Sequence, residues 1–163
     1  MDTSERSAEA VGNTQDLEAF PEFFGLAEPQ LRRALVAAYG SERGREATAE
    51  ALAWAWEHWP ELCRMDNPIG YLYRVGQSRT RPRKRRVVFD APAGTEVEFE
   101  PALPRALAEL SERQRVAVVL VHGYGLTHRE VAELTQTSAS SVQSHLERGL
   151  RRLRRSLEVT SDG

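Results

Sequence analysis

The sequence predicts an all-α protein: two small helical domains joined by an acidic linker, the C-terminal one containing a helix-turn-helix. Three observations carry this expectation. Apolar residues recur at three- and four-residue steps in several stretches, and no strand-like alternation of any weight competes with them. Start and stop residues bracket those stretches. Residues 87–102 break the periodicity with Pro92, Gly94 and Pro101 set among acids, as an extended linker would. The expected boundaries are a disordered acidic tail over 1–15, an N-terminal helical domain over 16–86, a linker over 87–102, a C-terminal domain over 103–157 and a short tail over 158–163. There is no internal repeat.

The first helix is expected near Asp16, with Leu17, Phe20, Phe23 and Phe24 on one side. Pro29 suits the start of a second helix, where its missing N–H costs least. Leu31, Leu35, Ala38 and Tyr39 form the stripe of that helix, and Gly40-Ser41 ends it. A third helix covers roughly residues 43–59, with Ala47, Ala51, Leu52, Ala55, Trp56 and Trp59 facing the core, and Pro60 stops it. Trp54 falls off that stripe; it either faces a partner protein or widens the core face. Asn67-Pro68 is a cap followed by a first-turn proline, and opens a fourth helix that turns basic before Pro82. Pro82 should kink or end it near Arg81.

In the C-terminal half, Ser111 and Gln114 have capping-box spacing, and residues 116–121 form a buried helical body. Gly123 and Gly125 flank a turn. Thr127 and Glu130 form a second capping box, and Ser138 caps the last helix. Val142, Leu146, Leu150 (or Gly149) and Leu153 face inward on that helix.

The chain has 163 residues, a net charge of -2 and one cysteine. Cys63 can form neither an internal disulfide nor a cysteine-based zinc site, which fits a reducing cytosol. No apolar run approaches a membrane span, and the N-terminus has no basic flank before an apolar core. No phosphate loop, metal cluster or paired nucleophile and base points to an enzyme, and no cofactor is expected. His122, His128 and His145 are dispersed and read as surface or capping residues.

Charge is strongly segregated. Residues 1–30 hold seven acids against Arg6. Residues 74–86 hold seven cations and no acid: Arg74, Arg79, Arg81, Arg83, Lys84, Arg85 and Arg86. Asp90, Glu96, Glu98 and Glu100 follow, and a second basic block runs over residues 148–155. Two basic patches with acidic spacers suggest a polyanion held at two places.

A short helix, a tight turn and a second helix rich in small polar side chains is how a protein sets a helix into the major groove. Ser140, Ser141, Gln143, Ser144, Glu147, Arg148 and Arg151 share the polar face of the last helix. Gln can bond adenine and Arg guanine in two places, each good pair giving about 1–3 kcal/mol of discrimination. Arg152, Arg154 and Arg155 suit phosphates. The plain alternative is a solvated helix end, since cations favour a helix C-terminus; agreement of turn, caps and polar face favours DNA. On the fourth helix, Tyr71, Tyr73, Arg74, Gln77, Ser78, Arg79 and Arg81 combine aromatics with cations, as a holder of unpaired bases needs. The competing role for the two tyrosines is helix packing. The loop over residues 61–67 could supply a pocket for a flipped base.

With both domains in view, the chain resembles the extracytoplasmic-function (group IV) bacterial RNA polymerase sigma factors. The resemblance rests on GREATAEALAWAW over residues 44–56, NPIGYLYRV over 67–75, LSERQR over 110–115, GLTHREVAEL over 125–134 and SVQS over 141–144. It implies a cytoplasmic, non-catalytic factor that binds the clamp and flap regions of core RNA polymerase and directs it to promoter DNA, with room for an anti-sigma factor. It implies that Arg45, Glu46, Glu50 and Trp54 meet the polymerase, and that Arg64, Met65, Asp66, Asn67, Tyr71, Arg74, Gln77, Ser78 and Arg81 read and open the minus-ten element. Ser140, Ser141, Gln143, Ser144, Glu147, Arg148 and Arg151 would read the minus-thirty-five element. The acidic linker would thread near the polymerase active site and RNA exit path. Ala49 stands where the family usually has Gln, Arg45 where an acid is common, and Gln136-Thr137 replace the usual Gly and apolar residue of the turn. The rival readings are a stand-alone helix-turn-helix regulator and a sigma-like protein-interaction module.

Overall fold

The computed structural model describes residues 3–80, 87–89 and 102–161, with the backbone alone for 3–17 and 159–161. The described residues are all-α. Helices α1 (Thr3–Tyr39), α2 (Ser41–Glu57), α3 (Trp59–Leu62) and α4 (Pro68–Arg79) precede the linker. Helices α5 (Leu103–Glu109), α6 (Glu112–Val118), α7 (His128–Thr135) and α8 (Ala139–Ser161) follow it. A π-helical turn, Val119–Gly123, connects α6 to the loop before α7.

Two expectations for the N-terminal segment are overturned. The stretch read as an irregular tail is helical from Thr3, and Pro29 does not open a second helix but lies inside α1 together with Pro21. Polarity argues against a buried core but not against helix, and Glu5, Ala8, Glu9 and Ala10 are adequate helix formers. A helix-interior proline costs about 3 kcal/mol. Leu31 and Leu35, both fully buried, each return about 1.5–3 kcal/mol, and they do so only if α1 stays straight enough to carry Ala27, Ala34 and Ala38 into the same face.

Helices α1 and α2 pack closely because Gly44 permits it. A Cβ there would collide with the backbone of Val36. Gly40 joins them with a left-handed φ of 88°. The linker's first residues seal this junction: the Val88 carbonyl accepts the otherwise orphaned Ser41 N–H at 2.9 Å.

Of the tryptophans of α2, Trp56 departs from the core position expected of it, and Trp54, for which the sequence leaves a partner-facing and a core-widening role both open, is partly covered. Trp56, expected in the core, is 54% exposed and touches Phe20 edge-on at 5.0 Å. Trp54 is half-buried, stacked on His58 at 4.1 Å and tilted against Tyr71 at 5.3 Å. The buried face is Ala47, Thr48, Ala51, Leu52 and Ala55, which leaves both tryptophans at its edges. Each then takes whatever the neighbouring helix offers. Trp59 completes an aromatic cluster with Phe20 and Phe23.

The N-terminal and C-terminal helices share a continuous core, running from Leu31, Leu35, Leu62 and Leu72 to Val116, Leu120, Val131 and Leu146. The expected helical body over 116–121 is shortened: α6 ends at Val118 and the chain widens into the π turn, bringing Leu120 to full burial. Gly125, with φ 71°, ends that segment in a conformation that favours glycine.

Candidate nucleic-acid interface

The helix-turn-helix is built from local signals. Thr127 accepts the Glu130 N–H at 3.2 Å, while Glu130 accepts the Thr127 N–H at 2.8 Å. The Thr127 N–H, and after it the Thr127 hydroxyl, which also donates to Glu130 at 3.0 Å, hold the Glu130 carboxyl below the usual carboxylate range. Helix α7 stops at Gln136, the one non-glycine described residue with positive φ, at 53°. The following N–H, of Thr137, returns to the Ala132 carbonyl at 2.9 Å, which satisfies an end-of-helix acceptor. The turn the sequence marks as unusual is therefore closed without glycine. The Thr135 hydroxyl bonds back to Val131 O at 2.7 Å and lies 3.1 Å from that of Thr137, so the pair of hydroxyls stands where an apolar turn residue would pack.

Helix α8 is capped by Ser138, which accepts the Ser141 N–H at 3.1 Å. Val142 and Leu146 are buried, and Leu150 and Leu153 are half-buried beside them. Gly149 lets α8 lie close to α6: a Cβ there would stand 2.9 Å from Val118 Cγ2. On the opposite side, Ser140, Gln143, Ser144, Glu147, Arg148 and Arg151 are all exposed. Ser141 is half-buried, and its hydroxyl accepts from that of Ser138 at 2.8 Å, so it faces the cap. Gln143 donates to Glu147 at 3.0 Å, which holds both side chains in one orientation on the exposed face. His145 sits at the edge of this face. Partial burial, and then the charges of Arg113 and Arg148, push its pKa down.

The residues expected to meet the minus-ten element occupy the loop before α4 and α4 itself. Arg64 and Asp66 are exposed, and Met65 packs against the core. Asn67 is the cap of α4; its Oδ1 accepts the Gly70 N–H at 2.9 Å. Tyr71 is exposed beside Trp54, whereas Tyr73 is buried. Packing therefore claims Tyr73, and Tyr71 alone presents a ring. Ser78 is exposed and donates to the Val75 carbonyl at 2.8 Å. Helix α4 ends at Arg79; Arg81, Pro82, Arg83, Lys84, Arg85, Arg86 and the acids from Asp90 to Glu100 lie outside the described residues.

Three of these residues reach across to the C-terminal half. Asn67 Nδ2 donates to the Glu133 carbonyl at 2.8 Å, and Arg74 Nη2 to the Gln136 carbonyl at 3.2 Å. Gln77 donates to Glu112 Oε1 at 3.0 Å. Nothing in the sequence signals these pairings, because the partners lie 35 to 66 residues apart. The same holds for Arg115, a buried guanidinium that donates to the carbonyls of Ala37 and Leu110, each at 2.8 Å, and of Ala38. Burial lowers its pKa.

On α2, Arg45, Glu46 and Glu50 are exposed, and Trp54 borders them. Glu46, Glu50 and Trp54 follow at four-residue steps, so they form one row on the outer face. The described residues hold no group of His, Cys, Asp and Glu that could bind a metal ion, and no described helix is long and apolar enough to cross a membrane.

Residues 101–153 match the family model of sigma-70 region 4. Among solved structures, the chain is similar to the sigma factor RpoE in its complex with the anti-sigma factor NepR from Bartonella quintana. The two share 19% identity over 87% of this chain and 98% of that one, with a TM-score of 0.61. No curated protein sequence matches the chain at a significant level.

Proposed function

We propose that this chain is an extracytoplasmic-function sigma factor, a reading supported by its region 4 match and its fold, and that it directs core RNA polymerase to a restricted set of promoters by dividing the reading between its two halves. Core RNA polymerase and promoter DNA are its partners, and its role is binding; the chemistry belongs to the polymerase. The exposed face of α8 reads the minus-thirty-five element as duplex. Gln143, held by Glu147, Arg148 and Arg151 supply base contacts, Ser140 and Ser144 permit close approach, and Arg152, Arg154 and Arg155 meet phosphates. The loop Arg64–Asn67, with Tyr71, Arg74, Gln77, Ser78 and Arg81, captures melted bases of the minus-ten element, with Tyr71 as the stacking ring. The outer face of α2, through Arg45, Glu46, Glu50 and Trp54, meets the polymerase clamp. Two weak sites joined through one scaffold gain avidity once the scaffold sets their spacing. The factor works in the bacterial cytoplasm. An anti-sigma factor, of the kind bound to RpoE in the solved complex, would hold it inactive.

The observation that carries this reading is the polar face of α8, exposed from Ser140 to Arg151 within a region 4 domain. The test is transcription reconstituted from core polymerase, this chain and a genomic promoter library. Promoter-specific transcripts above the core-alone level are expected. Equal transcript profiles with and without the chain would overturn the proposal.

A further inference from the structure

We infer that the cleft bordered by α4, α6, α7 and the start of α8 is a binding site for a small carboxylate with a compact apolar body, about the size of one ring, held by Tyr73 and Arg113. Neither residue has a part in promoter reading as assigned above. The cleft holds about 340 Å³, within the range of small-molecule sites.

Tyr73 is the observation that asks for a ligand. Its ring packs in the core and the residue is only 2% exposed. Among the described residues its hydroxyl has no hydrogen-bond partner, and none of their buried polar side-chain atoms is sealed from solvent in that condition. The hydroxyl therefore opens onto the cleft that Tyr73 lines. A buried hydroxyl left without a partner is costly, so an acceptor from outside the chain is favoured there. Burial, and after it the charge of Glu112, push its pKa up. The group keeps its proton and stands ready to donate.

Charge selects the kind of acceptor. Two cations of the lining, Arg74 and Arg113, stand against one acid, Glu112. Glu112 Oε1 already accepts from Tyr39 and Gln77, and Arg74 already donates to Gln77 and Gln136. Arg113 is exposed and makes no hydrogen bond or ion pair to a described residue. Its charge is felt by Tyr73 on one wall and by His145 on the other. The donors left over are thus one hydroxyl and one planar guanidinium fork, which together match the two oxygens of a carboxylate. Val116, Val131 and Val142 line the rest of the cleft. Such a wall suits hydrocarbon and gives nothing to a sugar or a bare phosphate.

The test titrates the full chain with 4-fluorobenzoate and follows the fluorine NMR signal of the probe. A saturable shift is expected, with a Kd on the order of 1 mM or tighter, and the melting temperature should rise as the site fills. The probe 4-fluorobenzyl alcohol, which keeps the ring and lacks the charge, should bind about tenfold more weakly. Tyr73→Phe removes only the hydroxyl. It and Arg113→Gln should each weaken 4-fluorobenzoate about tenfold, the worth of one charge-assisted hydrogen bond, with helicity unchanged. If Tyr73→Phe loses helicity, Arg113→Gln and the alcohol comparison carry the test. Inorganic phosphate at equal concentration should leave the probe in place. Absence of a saturable shift would overturn the site. So would an affinity unchanged in a folded variant, or displacement by phosphate, either of which would assign the probe to exposed arginines elsewhere. These readings come from the free protein, so they stand apart from the transcription assay, whose failure would strike the sigma-factor reading alone.

Discussion

Arg115 on α6 donates through Nε to the carbonyl of Ala37 on α1, 78 residues earlier, at 2.8 Å. That bond, with those to Ala38 and Leu110, makes a buried cation the cap of a helix in the other half of the molecule. Among the described residues its hydrogen bonds go to backbone oxygens, and Glu112 acts on it through space. Its value lies in satisfying three acceptors at once from one planar group.

Replacing Arg115 by Ala should therefore destabilise the protein by about 2–4 kcal/mol, since the carbonyls it serves would lie buried without a donor. Urea denaturation followed by circular dichroism measures this. A loss below about 0.5 kcal/mol, the scale of an ordinary surface substitution, would show that water satisfies those oxygens in the folded state.

Gln136 closes the helix-turn-helix at φ 53° and ψ 48°, a conformation that costs a residue with a Cβ. Gln136→Gly should stabilise the chain by about 1 kcal/mol, or roughly 2–4 °C in melting temperature. The bond from Arg74 goes to the Gln136 carbonyl and survives the change. A lower melting temperature would mean that the Gln136 side chain contributes more than its backbone costs.

His145 gives the C-terminal half a pH dependence. Its pKa is depressed by partial burial, Arg113 and Arg148, so the unfolded chain takes up the proton first as pH falls. The stability tied to neutral His145 is present above the unfolded value of about 6.5 and is lost as pH falls through it toward the lower folded value. Unfolding midpoints should thus decline between pH 7.5 and pH 5.5, and His145→Asn should flatten that decline. An unchanged slope in the variant would place its origin elsewhere.

Gln143 and Arg148 are exposed on α8, and Gln143 is held by Glu147. Replacing either by Ala should weaken the best promoters most, by about 1–3 kcal/mol per lost bidentate contact. Replacing Arg83, Lys84, Arg85 and Arg86 together should weaken all DNA alike and flatten the salt dependence of binding. Binding isotherms on two promoters at three salt concentrations separate the two patterns. Equal losses on both promoters for Arg148→Ala would assign it to phosphate.

The caps of this protein could be read from its sequence. Asn67 on α4, Ser111 with Gln114, Thr127 with Glu130, and Ser138 on α8 all bond as expected, because each pairing spans three residues and needs nothing from the rest of the fold. The exposed polar face of α8 was legible for the same reason: helical period and a run of small polar residues are local. Tertiary packing decided the rest. Pro29 became helix interior because Leu31 and Leu35 bury only on a continuous α1. Trp56 lost the core and Trp54 gained partial cover, because a residue at the edge of a stripe is placed by what stands opposite. Asn67, Arg74 and Gln77 found partners in region 4 that no spacing announces, since a hydrogen bond across 62 residues depends on where two whole helices come to rest. Local chemistry sets where helices begin and which side is wet; which wet side meets which is settled only when the chain closes on itself.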